Sequence, residues 1–348
     1  MHKSTLVVFS LALLALVALL LLGCIQSGPS PSPVSPSNPP PPLPPYAPPQ
    51  TLPSSSEPPA IPAVPFQMSF IDVGFGDSTL VRAGNFTMLM DDGPAGAADD
   101  VIAFLRAKNV ESIDVLVLSS PDPNSVGGTF AITRKFPVRE VWTNGVNYSD
   151  PFWQSVLQAV EFIPHKSVQY GDTFSYGNLT FAILNPQSER LMGNPQTDSV
   201  AMKASYGSFC ALLFSQSEAA GASGGDPGTV TGGVESRIIL GSVPIACPVL
   251  KVSHYGSGNS ASFQLLDRAK PKIGIISVGP NARDLYPEPA LIRRLMLKNI
   301  SVYVTDKLGS ITISSDGTLF NISTQKPVDD AYTRFINNVG DTQLYWSK

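Results

Sequence analysis

Side chains able to hold a metal ion or attack a substrate are sparse in this sequence. Histidine occurs three times, at His2, His165 and His254. Cysteine also occurs three times, at Cys24, Cys210 and Cys247, with no Cys-x-x-Cys pair to build a zinc or redox centre. A hydrolytic zinc takes about three protein ligands and an open position for water. The stretch Leu118–Gly128 gathers Ser120, Asp122, Asn124 and Ser125. Ser120 or Ser125 beside His254 would make a serine–histidine pair. Serine as a space-filler is the simpler reading, and no Gly-x-Ser-x-Gly elbow occurs. Asp72 and Asp77 flank the turn Gly74-Phe75-Gly76, where capping is the ordinary role and ligation the alternative. Those glycines lack the following helix of a dinucleotide fingerprint. Gly127-Gly128 opens a helix, where close packing is the ordinary role and anion binding the alternative.

The elements that would position these residues read as a mixture of short strands and amphipathic helices from Phe66 onward. Strands are expected over Gln67–Val73, Ser78–Arg82, Thr87–Met90, Ile113–Leu118, Glu140–Thr143 and Leu179–Leu184. Later ones are expected over Val200–Ser205, Cys210–Phe214, Arg237–Leu240, Val249–Ser253, Ile273–Val278, Ser301–Thr305 and Ser310–Ser314. Helices are expected over Ala97–Lys108, Ser125–Phe136, Pro151–Val160, Ala261–Asp267 and Pro289–Lys298. Asp150 before Pro151 is a sound N-cap and N1 pair. Tight Gly and Asp turns pair the early strands antiparallel, and later strand–helix alternation implies α/β layers. Two sheets covered by helices in one domain fit this order. Ser217–Glu235, rich in Gly, Ser and Ala, reads as a flexible surface loop. On the helix 289–298 and its end, Arg293, Arg294 and Lys298 read as a solvated face. Cys210 and Cys247 read as two buried thiols, with pairing as the alternative in an oxidising compartment.

The chain has 348 residues, 43% of them apolar, enough for a sizeable core. Lys and Arg total 23 against 27 Asp and Glu, a formal net charge of −4, which argues against a broad nucleic-acid surface. Lys3 followed by the apolar run Leu6 to Leu22 and the ending Leu21-Leu22-Gly23-Cys24 forms a secretory signal. That ending resembles a lipobox, which would make Cys24 the lipidated first residue of the mature chain; an uncleaved membrane anchor is the alternative. Of the 33 prolines, 17 fall between Pro29 and Pro65, so residues 25–65 read as a disordered, extended spacer. The expected division is 1–24 signal or anchor, 25–65 linker, 66–325 folded domain and 326–348 tail. The domain is expected on the outer face of the cytoplasmic membrane. Five Asn-x-Ser/Thr tripeptides, at Asn85, Asn147, Asn178, Asn299 and Asn321, accord with an exported protein.

Six segments together resemble the soluble domain of the ComEC/Rec2 DNA-uptake proteins. Phe70-Ile71-Asp72-Val73-Gly74-Phe75-Gly76-Asp77-Ser78 resembles the opening motif of that domain, and Leu89-Met90-Asp91-Asp92-Gly93 its next strand. Leu118-Ser119-Ser120-Pro121-Asp122-Pro123-Asn124-Ser125-Val126-Gly127-Gly128 resembles its metal loop. Leu250-Lys251-Val252-Ser253-His254-Tyr255-Gly256-Ser257, Ser277 through Pro287, and Thr305 through Ile311 resemble three later motifs in the same order. The resemblance covers about residues 66–320 and implies a metallo-β-lactamase-like αββα sandwich. The family's membrane-channel part has no counterpart in this sequence.

The resemblance also implies where metal ligands would stand, and most of those places are changed. The family's histidines fall on Ser120, Ser125, Tyr255 and Tyr286, its loop aspartate on Asn124 and its bridging aspartate on Gln216. Asp122 and His254 survive. Neutral oxygens from Asn124 and Gln216, and the hydroxyls of Ser120 and Ser125, hold zinc poorly compared with imidazole or carboxylate. The expectation is a domain without catalysis and without a cofactor, acting by binding an envelope protein, a glycan or, by family analogy alone, DNA. The alternative is a nuclease or phosphodiesterase using one weakly held zinc or manganese ion on Asp122, Asn124, Gln216 and His254.

Overall fold

The computed structural model describes residues 65–187, 191, 193–217, 233–280 and 286–341. The signal, Cys24 and the linker over 1–64 lie outside them, as do 218–232 of the Gly-rich insertion. Among the described residues no helix is long and apolar enough to cross a membrane.

Strands β1 (Phe66–Phe70), β2 (Ser78–Ala83), β3 (Phe86–Asp92), β4 (Ile113–Val117), β5 (Val138–Thr143) and β6 (His165–Ser167) open the fold. They are followed by β7 (Thr173–Tyr176), β8 (Leu179–Asn185), β9 (Ala201–Tyr206), β10 (Phe209–Phe214), β11 (Val249–Lys251), β12 (Ile273–Ile276) and β13 (Ser301–Val304), then β14 (Ile311–Ser315) and β15 (Phe320–Thr324). One sheet has the order β15-β14-β1-β2-β3-β4-β5-β6, the other β13-β12-β11-β10-β9-β8-β7. Early hairpins pair antiparallel, β3 through β6 and β10 through β13 pair in parallel.

Period-two alternation sorts side chains to the two faces of the first sheet. Met88, Met90, Val115 and Val117 enter the core between the sheets, whereas Leu89 and Leu116 face helices on the outer side. Each such burial contributes about 1.5–3 kcal/mol. That outer layer holds α1 (Ala98–Ala107), the short α2 (Pro123–Val126), α3 (Thr129–Lys135) and α4 (Pro151–Ala159). Asp99 and Asp100 in the first turn of α1 and Arg106 in its last turn complement the helix dipole. The second sheet is covered by α5 (Gly233–Leu240), α6 (Phe263–Ala269) and α7 (Pro289–Leu297). The one-turn α8 (Thr305–Leu308) precedes β14, and α9 (Asp330–Asp341), within the region read as a tail, packs on α7. The result is four layers, αββα.

The sandwich is closed tightly at the end where the chain enters. Gly207 has φ +60°, and a Cβ there would lie 2.6 Å from the Gly317 carbonyl oxygen. The β9–β10 turn of one sheet therefore touches the β14–β15 turn of the other, with the Phe209 ring packed at a tilt between Phe66 (5.5 Å) and Phe320 (5.3 Å).

Several expectations need correction. Arg237–Leu240 is helical, part of α5, because Val234 and Ile238 are buried one turn apart, a helical period that a short apolar run conceals. The loop expected over Ser217–Glu235 ends earlier, since Gly233–Glu235 begin that helix and Glu235 is buried. The helix expected over Ser125–Phe136 breaks into α2 and α3 at Gly127-Gly128. A Cβ on Gly127 would meet the Pro123 oxygen at 2.5 Å, and one on Gly128 the Asp92 oxygen at 2.6 Å. Cys210 and Cys247 are a disulfide, not two thiols, with Cα atoms 5.2 Å apart. Parallel pairing of Ala211 with Val249 brings them together. Arg294 is buried rather than solvated, donating to the carbonyls of Ser260 (2.6 Å) and Gly258 (2.9 Å). Glu235 faces the same loop and accepts from the amides of Ala261 (2.6 Å) and Ser262 (2.9 Å). Lys298 keeps a surface role, paired with Asp267.

Candidate functional site

The C-terminal ends of β3, β4, β10 and β11 converge on a buried polar floor. Asp91 closes β3 with φ 61°, a left-handed backbone that is rare for a residue other than Gly. Its Oδ1 accepts from the Ser119 amide (2.9 Å), and Oδ2 accepts from the hydroxyls of Ser119 (2.8 Å) and Ser215 (2.7 Å). Burial first, and the nearby Asp77 second, push the Asp91 carboxyl up to about 7. Asp92 accepts from the Gly128 amide (2.9 Å) and the Thr129 hydroxyl (2.6 Å), and burial holds it well above the usual carboxylate range. That bond occupies the Gly128 amide, so Gly127-Gly128 serves packing, not an anion. Asp77 pairs with Lys251 Nζ at 2.7 Å, both buried. Burial raises the Asp77 carboxyl against the opposing pull of the ammonium. Lys251 also donates to the Phe214 carbonyl (3.0 Å), tying β10 to β11. Asp72 does cap its turn, accepting from the Gly74 amide (3.2 Å); Asp77 is instead this ion pair.

Above this floor, four of the expected site residues meet. Asp122 is the N-cap of α2: its Oδ1 accepts from the Asn124 amide (2.8 Å), which fixes the carboxylate. Its Oδ2 accepts from the Tyr255 hydroxyl (2.7 Å). The same hydroxyl accepts from Gln216 Nε2 (2.7 Å), which also reaches Ser125 Oγ (3.2 Å). Ser125, Gln216 and Tyr255 are buried. Burial, then the negative charges of Asp122 and Asp77, hold the Tyr255 phenol well above its ordinary range, so it stays protonated. Its single proton goes to Asp122 and its lone pair to Gln216. His254 (φ 47°) and Tyr255 (φ 54°) form a tight left-handed turn after β11, pinned by the bond from the His254 amide to the Ser215 carbonyl (2.7 Å).

The remaining expected residues stand beside this quartet or outside it. The His254 ring lies 5.9 Å from Tyr286 and 5.6 Å from Tyr255, and Phe75 lies 4.4 Å from Tyr255, giving an aromatic wall. Ser120 Oγ is buried with no hydrogen-bond partner among the described residues, and Ser125 Oγ is engaged with Gln216, so neither serine is paired with His254. Asn124 takes part through its backbone, its carbonyl accepting from the Asp77 amide (3.1 Å). Among the described residues no group of three or more His, Cys, Asp or Glu is placed to hold a metal ion. The sequence reading missed Asp91, Ser119, Ser215 and Lys251 as a framework. Their signal was present in the adjacent motifs, where Asp91-Asp92-Gly93 and Lys251 stand unchanged.

No protein-family model matches the sequence. The chain is 26% identical over 283 residues to ComE operon protein 3 of Bacillus subtilis, covering 76% of this chain and 35% of that protein. It is 26% identical over 259 residues to competence protein ComA of Neisseria gonorrhoeae, covering 74% and 33%. The chain thus spans about a third of the length of the curated relatives it matches. Among solved structures, the metallo-β-lactamase-fold protein YhfI from Bacillus subtilis is similar at 12% identity and a TM-score of 0.45, covering 72% of this chain and 99% of that one. CmlA, a diiron β-hydroxylase from Streptomyces venezuelae, is similar at 14% identity and a TM-score of 0.48, covering 73% and 55%. With its four αββα layers, six motifs in order and alignments over three quarters of its length, the chain carries a metallo-β-lactamase-fold domain of the ComEC/Rec2 competence-protein type.

Proposed function

We propose that this domain acts by binding rather than by hydrolysis, tethered through Cys24 on the outer face of the cytoplasmic membrane. One observation carries the reading: the Tyr255 hydroxyl stands between Asp122 and Gln216, where the fold's hydrolytic relatives would gather ligands. The zinc centre implied by the fold family does not fit these residues. Asp122 is the one carboxylate in the quartet, and the phenol beside it keeps its proton. A metal ion would have to displace the Tyr255–Asp122 bond and would gain neutral amide and hydroxyl oxygens in return. No polarised water follows from such a set, so no hydrolytic step is derived through it.

The disulfide Cys210–Cys247 supports placement in an oxidising compartment. Charge favours an envelope protein or a glycan over a nucleic-acid backbone as partner. The Lys251 ammonium is already paired with Asp77, and Asp122 adds a carboxylate beside it, so among the described residues the cleft holds no excess positive charge for phosphate. The test is metal content and phosphodiesterase activity of the purified full chain after incubation with Zn²⁺ or Mn²⁺. The expected outcome is no stoichiometric metal and no activity. One metal per chain that is lost in His254→Ala, together with phosphodiester cleavage, would establish the hydrolase instead.

A further inference from the structure

Four of the five Asn-x-Ser/Thr tripeptides share one end of the fold. Asn85, Asn147, Asn178, Asn299 and Asn321 are all exposed. Of the other asparagines among the described residues, Asn109, Asn194 and Asn338 are exposed, Asn124, Asn259 and Asn337 half-buried, and Asn144 and Asn185 buried. The side-chain amides of Asn85, Asn178, Asn299 and Asn321 make no hydrogen bond among the described residues. Asn147 differs, since its Oδ1 accepts from Gln154 Nε2 at 2.8 Å.

Strand direction places those four together. Asn85 lies in the turn that starts β3, whose far end carries Asp91 and Asp92. The amide of Gly84 in that turn donates to the Pro65 carbonyl (3.2 Å), where the chain enters the domain. Asn178 lies in the turn just before β8, and Leu179 pairs with Tyr206 at the same end. Asn299 precedes β13, whose first residue Ser301 pairs with Ile273 at the start of β12. Asn321 pairs with Ser314, one position from the Ser315–Phe66 pair. All four therefore lie at the end opposite the Asp122–Tyr255 cluster, whereas Asn147 follows β5 at the cluster's end. Turn chemistry explains asparagine at 85, 178 and 299. It does not explain Asn321, which lies within the edge strand β15 with Ser323 exposed on the same face.

We propose that Asn85, Asn178, Asn299 and Asn321 carry N-linked glycans, making the entry end of the sandwich a sugar-covered face. The reading rests on the extracytoplasmic placement proposed above. The co-reactant is a lipid-linked (pyro)phosphate oligosaccharide supplied by the membrane. The asparagine Nδ2 forms a bond to sugar C1, the C1–O bond to phosphate breaks, the lipid (pyro)phosphate leaves, and the amide proton passes to a base of the transferase. In the folded domain, glycans on Asn321 and Asn178 would stand beside β15 and β7, one edge strand of each sheet, and block their pairing with other chains.

The test is intact-mass and peptide mass spectrometry of the full chain extracted from membranes of its native cells, before and after chemical deglycosylation. The same cells are treated with an external protease. Glycan mass is expected on the four peptides, absent from the Asn147 peptide, and lost from the Asn321 peptide in both Asn321→Gln and Ser323→Ala. An unmodified chain that the external protease cleaves would overturn the glycan assignment while leaving the placement intact. An unmodified chain protected from the protease would overturn both, and glycan on Asn147 alone would overturn the assignment of the entry end.

Discussion

Replacing Tyr255 by Phe removes one oxygen and leaves the ring packed against Phe75. Two partners lose their bond. Asp122 Oδ2 loses a charge-assisted donor, a contact worth about 1.5–3 kcal/mol when buried. Asp122 is half-exposed, so water recovers part of that and the lower end applies. Gln216 Nε2 is buried and keeps only the longer 3.2 Å bond to Ser125, at a cost of about 1 kcal/mol. The sum is about 2–3 kcal/mol. With a urea m-value on the order of 2–3 kcal/mol/M, the unfolding midpoint should fall by about 1 M. A double-mutant cycle with Gln216→Leu should give a coupling on the order of 1 kcal/mol, because both changes remove the same bond. If Tyr255→Phe moves the midpoint by less than about 0.3 M, the hydroxyl is not the brace described. If instead Zn²⁺ raises the wild-type midpoint with rising concentration, as a ligand of the native state must, the metal-free reading is wrong.

Three further outcomes follow from the same geometry. The double variant Cys210→Ala/Cys247→Ala opens a loop of 37-residue separation and should cost about 4 kcal/mol on the chain-entropy account, read as a lower urea midpoint that reductant no longer changes. Asp91, pushed up to about 7, holds a proton in the fold that the unfolded chain releases near its ordinary value of 3.8. Its contribution is therefore full below about pH 4 and lost as pH rises toward 7, by no more than about 1.4 kcal/mol per pH unit. Asp77, Asp92 and Glu235 are shifted the same way, so urea midpoints should be higher at pH 5 than at pH 7.5, with a shallower slope in Asp91→Asn. Arg294→Ala should cost about 3–5 kcal/mol, because it removes the cation beside the buried Glu235 and the donor to the carbonyls of Gly258 and Ser260, and should raise hydrogen exchange in that loop first.

Much of the architecture was readable from residue order. The continuous apolar runs Met88-Leu89-Met90 and Val115-Leu116-Val117 mark strands packed on both faces, and Asp150-Pro151 marks the start of a helix. The changed positions at 120, 124, 125, 255 and 286 are read from the register of the motifs that hold them. What alternation cannot carry is which distant positions touch. Tyr255 reads as a lost imidazole, and its bridging hydroxyl emerges only when 122, 216 and 255 converge across two sheets. Arg294 reads as surface charge because helical spacing says nothing of the loop packed over it. Val234 and Ile238 read as loop and strand because a short apolar run looks alike in either state.

The contact between Gly207 and Gly317 has a consequence for how freely the opposite end can change. Two turns from different sheets meet there with no room for a side chain, so the layers are registered without help from the polar cluster. Ser120, Asn124 and Tyr286 sit on connections at the other rim, where exchanging one donor for another leaves that register alone. Scaffold and polar rim are thus separable in this molecule, and side chains at that rim can be exchanged while the layers stay in place.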